Sequence, residues 1–174
     1  MLFGLLTIQR GKLFHSLLTN PDGSTCIKYG MPCGANNRDA MYSFAKTGTL
    51  SDDPQAFLVA FGVNHEVTGK ATYLNSSVYW LKKQLGVAAF TSEMMVGSAR
   101  RYIPDHPDAD SLYAICIARE CGNEPFCIEV PSEFSGVLLS EQIFIMFRAY
   151  LESTTNVGPL AKELVLSRIL KFTP

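Results

Sequence analysis

Residues 143–151, Ile-Phe-Ile-Met-Phe-Arg-Ala-Tyr-Leu, restrict the fold of this chain more than any other stretch. Ile143, Ile145, Phe147, Ala149 and Leu151 fall on one face; Phe144, Met146, Arg148 and Tyr150 fall on the other. A period of two held this long predicts a β-strand, with large side chains on both sides of it. Arg148 stands among aromatics, so the expectation is that it snorkels to water or pairs with a carboxylate.

The rest of the chain reads as more short strands between turns. Turn signals lie at Asn20-Pro21-Asp22-Gly23, at Asp52-Asp53-Pro54, from Pro104 to Asp110, at Gly122-Asn123 and from Thr154 to Pro159. Residues 56–63 are almost continuously apolar, as in a strand buried on both faces. Leu112–Ala118 and residues 126–130 flank the Gly122-Asn123 turn and predict a hairpin. Residues 2–8 predict an N-terminal strand rather than a signal peptide, because no cation precedes them and no small-residue cleavage site follows before Arg10.

Helical signals are fewer. Ser76 or Ser77 is placed to cap a short helix bearing Val78, Leu81 and Leu85, with Gly86 as its stop. Pro159 suits the first turn of a second helix through Leu160 and Leu164, which gives way to a terminal strand over residues 166–172. The sum is a mainly β fold, an antiparallel sandwich or partly closed barrel with one or two short helices. An α+β arrangement is the alternative.

Length and composition set the outer bounds. At 174 residues, the expectation is a single globular domain over 1–174. The apolar fraction is 47% and the charged fraction only 18%, which predicts a sizeable core and apolar surface to spare for self-association. A net charge of −1 gives no basic footprint, so no nucleic-acid partner is expected. No uncharged apolar run reaches the length of a spanning helix, so no membrane partner is expected either.

The five cysteines, Cys26, Cys33, Cys116, Cys121 and Cys127, contain no C-x-x-C spacing for zinc or thioredoxin-like chemistry. Two short pairings suggest themselves, Cys26 with Cys33 and Cys121 with Cys127. Each would contribute about 2.5 kcal/mol at best by chain entropy. Cys116, inside an apolar run, is then the free thiol. Reduced thiols throughout fit the cytoplasm, whereas an oxidised Cys121–Cys127 pair, together with the sequon Asn75-Ser76-Ser77, fits an extracytoplasmic location.

Familiar catalytic signatures fail. Gly62 and Gly69-Lys70 are too far apart for a phosphate loop, and Ala71 follows where a hydroxyl should bind magnesium. His65-Glu66-Val67-Thr68-Gly69 has glycine in place of the second zinc histidine. Gly97-Ser98-Ala99 lacks the glycine spacing of a nucleophile elbow.

Two constellations remain. Asn64, His65 and Glu66 follow the most apolar strand, where His65 and Glu66 are candidate catalytic groups and Asn64 and His65 candidate ligand contacts. The bland reading is a strand end with His65 bonded to backbone. Residues 105–110 supply Asp105, His106, Asp108 and Asp110, hard ligands for a divalent metal such as calcium but too few to complete a site. Arg100, Arg101 and Arg148 are candidate anion contacts. His15 reads as a core or edge histidine, and Trp80 as helix packing. The leading expectation is a non-catalytic β domain that binds a small-molecule or protein ligand and self-associates, with no cofactor. The alternative is a hydrolase or metal-assisted enzyme using His65 and Glu66 or the aspartate loop.

Overall fold

The computed structural model describes residues 10–18, 23–31, 38–133 and 135–174. Its strands are β1 (Arg10–His15), β2 (Leu17–Leu18), β3 (Ala40–Thr49), β4 (Phe57–Val63) and β5 (Tyr73–Trp80) in the first part of the chain. They continue with β6 (Leu85–Thr91), β7 (Leu112–Ala118), β8 (Cys127–Glu129), β9 (Gln142–Tyr150) and β10 (Arg168–Thr173). One sheet has the order β1-β10-β4-β7-β8 and the other β2-β3-β9-β5-β6, and neither closes into a barrel. The fold is a mainly β sandwich. Its helices are short, α1 (Gly23–Tyr29) and α2 (Ser92–Met95).

Alternation decides which face meets the other sheet. In β9, Ile143, Ile145 and Phe147 point inward onto Val78 and Phe90 of the same sheet and Ile115 and Ile117 of the opposite one, all within one buried cluster. Phe90 and Tyr113 meet between the sheets with ring centroids 6.1 Å apart. The chain changes sheets between β1 and β2 at Ser16, which is buried and donates to the Ser167 carbonyl over 2.5 Å.

Three expectations need correction. Residues 76–86 form no helix: β5 and β6 are a hairpin joined by a turn at residues 81–84, with Trp80 opposite Leu85. The spacing of Val78, Leu81 and Leu85 imitated a helical stripe, but the inward series is Leu74, Ser76 and Val78, and Gln84 takes a left-handed φ of 53° to close the turn. Trp80 accordingly ends a strand and donates from Nε1 to Glu141 over 3.2 Å. The Pro159 segment makes only one 3-10 turn, at Ala161–Glu163, before the terminal strand.

The third correction concerns β7 and β8, which are parallel rather than a hairpin, with Cys116 opposite Cys127. The loop between them, residues 119–126, is far shorter than the dozen or so residues a parallel connection usually needs. The disulfide Cys121–Cys127 (Cα–Cα 5.7 Å) closes it, and Gly122 supplies a left-handed φ of 55°. Cys26 is also disulfide-bonded, while Cys33 lies outside the described residues, as does the strand expected over residues 2–8. Cys116 is free; burial above all pushes its thiol up to about 11, so it stays protonated beside the disulfide. Of the two places expected for His15, core or edge, it takes the edge: it is exposed on the edge strand β1.

Candidate functional site

The candidate site is on the outer face of the β1-containing sheet, where a sandwich normally shows polar residues to water. Leu58 and Ala60 of β4 point into the core, so Val59 and Phe61 point outward. Leu170 of β10 lies directly opposite Val59, and Phe172 stacks on Phe57 at 4.6 Å. Leu13 on β1 continues the row beyond Leu170 and is 41% exposed. One row of one sheet is therefore apolar across three strands.

A wall stands beside this floor. Gly97 adopts a left-handed φ of 76° and starts a 3-10 turn, Ser98–Arg101, which brings Ala99, Tyr102 and Ile103 against β7. Ser98 fixes the turn: its hydroxyl donates to the Met95 carbonyl (2.6 Å) and accepts from the Ala114 N–H (3.0 Å). Floor and wall enclose a cleft of about 520 Å³, within the range of small-molecule sites. Its end is formed by Leu112, Val165 and Leu166. Burial pushes the Tyr102 phenol up, so it stays neutral.

The residues singled out from sequence are placed elsewhere. Asn64 is fully buried and structural: its Nδ2 donates to Ser92 (3.2 Å) and its Oδ1 accepts from the Glu66 N–H (3.2 Å). His65 is buried with Nε2 3.2 Å from the Val165 carbonyl, so that nitrogen carries the proton. Glu66 is exposed in the turn that follows. His65 and Glu66 thus hold a turn together without forming an acid–base pair.

The aspartate loop is likewise dispersed. Asp110 is taken by Arg100, whose Nε and Nη2 donate to it over 2.5 and 2.6 Å. The His106 Nδ1 accepts from the Asp108 N–H, and Asp105 is exposed. Among the described residues, no three His, Cys, Asp or Glu side chains converge. Arg101 pairs with Glu124 over 2.6 Å. Arg148 is half-buried and meets no carboxylate among the described residues: it donates to the Tyr79 hydroxyl and lies over the rings of Tyr42 and Tyr79. His65 and Arg148 border a common void, but at about 20 Å³ it holds no ligand. Asn75, the sequon asparagine, is half-buried inside the second sheet between β6 and β9.

The His65 environment has a measurable consequence. Burial lowers its imidazole below the ordinary value, the Val165 bond opposes this, and the Lys70 charge adds to the lowering. An unfolded chain, with an ordinary histidine near pKa 6.5, takes up the proton more readily than the folded one. The stabilisation from neutral His65 is therefore whole above about pH 6.5 and is lost as pH falls below it. His65→Gln is expected to flatten this acid-side loss. Urea unfolding at pH 8 and pH 5 checks it, and identical pH dependence in both proteins would remove the argument.

The fold and the cleft together define the class, a β-sandwich domain with an apolar cleft on the outer face of one sheet. No family of known proteins matches the chain, and no curated protein matches its sequence.

Proposed function

We propose that this chain is a non-catalytic binding domain whose ligand is apolar and occupies the cleft on the outer face of the β1-containing sheet. The observation that carries this reading is the 520 Å³ cleft itself, floored by Val59, Phe61, Leu170 and Phe172 where a solvent-facing sheet would be polar. The hydrolase or metal-assisted alternative gains no such support, because His65 is bonded to backbone and Asp110 to Arg100. The disulfide Cys121–Cys127 supports an oxidising, extracytoplasmic setting.

The neutral dye Nile red tests the reading. Its fluorescence is expected to rise on saturable, one-to-one binding, and Leu170→Glu is expected to abolish that rise by placing a charge in the floor. No saturable binding, or binding that Leu170→Glu leaves intact, would overturn the proposal. Self-association is a second reading of the same face, favoured by the exposure of Leu13 (41%), Tyr102 (53%) and Val165 (58%) around it. Light scattering decides it: dimer formation that Leu170→Glu disrupts supports a copy-to-copy interface, and a concentration-independent monomer removes it.

A further inference from the structure

The cleft has one feature that an indifferent apolar surface would lack. Among the described residues lining it, Arg168 is the only charged one. It opens β10 and alternates with Leu170 and Phe172, so its side chain leaves the sheet on the face that carries the apolar floor. Two other arginines show what a satisfied guanidinium looks like here. Arg100 has Asp110 and Arg101 has Glu124. Arg168 is exposed and has no ion pair or side-chain hydrogen bond to any described residue. Across the sheet its neighbours are His15 and Phe61, neither of them acidic.

We propose that Arg168 is the anchor for the head group of a single-chain carboxylate whose alkyl chain lies in the cleft; this rests on the cleft being a ligand site. A guanidinium matches a carboxylate in a planar, two-bond fork. It supplies one positive charge, which one carboxylate neutralises, whereas a phosphate monoester carries nearly two negative charges and would leave one unmet. From Arg168 to Phe172 the strand advances roughly 13 Å, at about 3.3 Å per residue, which suits a medium-length alkyl chain running over Leu170 toward Phe172. The neutral phenol of Tyr102 and the absence of any Asp or Glu from the described lining leave nothing to repel the anion.

Calorimetry on the full chain with dodecanoate, dodecanol and dodecyl phosphate, each below its aggregation limit, tests the assignment. Dodecanoate is expected to bind at least about 10-fold more tightly than dodecanol, as a hydrogen-bonded charge predicts. Arg168→Gln is expected to erase that preference while leaving dodecanol affinity unchanged; the side chain is exposed, so the fold is retained. If all three ligands fail to bind, the ligand-site reading itself falls. If dodecanoate and dodecanol bind equally, or Arg168→Gln changes neither, the cleft stands and the anchor is overturned. Tighter binding of the phosphate than the carboxylate overturns the carboxylate assignment.

Discussion

Arg119→Met is expected to cost about 3–5 kcal/mol of stability, by far more than its place just after β7 suggests. The side chain is buried and its guanidinium is spent entirely on carbonyl oxygens. Nε and Nη2 donate to Leu50 over 3.1 and 2.7 Å. Nη1 is shared among Val130 (2.9 Å), Pro131 (3.0 Å) and Val137 (2.6 Å). Leu50 follows β3 in one sheet and Val130 follows β8 in the other, so a single side chain fastens the two layers at one end.

Burial lowers the Arg119 pKa and the nearby Asp52 charge opposes that, but a guanidinium so placed stays charged. Replacing a buried ion by a hydrophobe is often harmless because the desolvation cost vanishes with the charge. Here it is not, because the Leu50, Val130 and Val137 carbonyls remain behind without donors, while Pro131 keeps only the Val137 N–H. Arg119→Lys keeps the charge but loses the fork, and should fall between the wild type and Arg119→Met. For a domain of this size the methionine variant should melt roughly 10 °C lower. A loss under about 1 kcal/mol in urea would mean that the loops reorganise to satisfy their own carbonyls.

Much of the sandwich was legible wherever inward residues were large. β4, β7 and β9 announce themselves because Leu58, Ile115, Ile117, Ile143 and Ile145 face the core in strict alternation. β3, the longest strand, was silent for the opposite reason. Its inward positions are Met41, Ser43, Ala45 and Thr47, while the large residues Tyr42 and Phe44 are on the outer face. The buried hydroxyls of Ser43 and Ser76, like that of Ser92, even lack a partner among the described residues, a pattern no hydrophobic count would assign to a core. The direction of β8 was hidden too, since Gly122 and Asn123 mark a turn without saying whether the chain returns antiparallel or crosses to run parallel.

The candidate site was illegible for a further reason. In β10, Arg168, Leu170 and Phe172 alternate with Ile169 and Lys171, so each face carries apolar groups and one cation. Nothing in that pattern says which face turns outward. The answer comes from Lys171, which turns toward β3 and donates to the Thr47 and Thr49 carbonyls (3.2 and 2.5 Å), leaving Arg168 on the outside. The polar groups that sequence did single out are spent on internal bonds: Asn64 and His65 tie their turn to Ser92 and Val165, and Arg100 is paired with Asp110.

Gly136→Ala is expected to cost about 3 kcal/mol. A Cβ at this position would stand 1.8 Å from the Pro131 carbonyl oxygen and 2.6 Å from its carbon, so backbone must move. That same oxygen accepts from Arg119 Nη1 and from the Val137 N–H over 2.9 Å, and the Val137 carbonyl is the nearest acceptor of Nη1. Opening the loop to admit a methyl group therefore pulls two acceptors off Arg119. The two substitutions act on one network, so their costs should not add. In urea unfolding the Arg119→Met/Gly136→Ala double variant should lose about 1–2 kcal/mol less than the sum of the single losses, with the slope unchanged. Additivity within about 0.5 kcal/mol would show that the loop clash and the guanidinium bonds are independent.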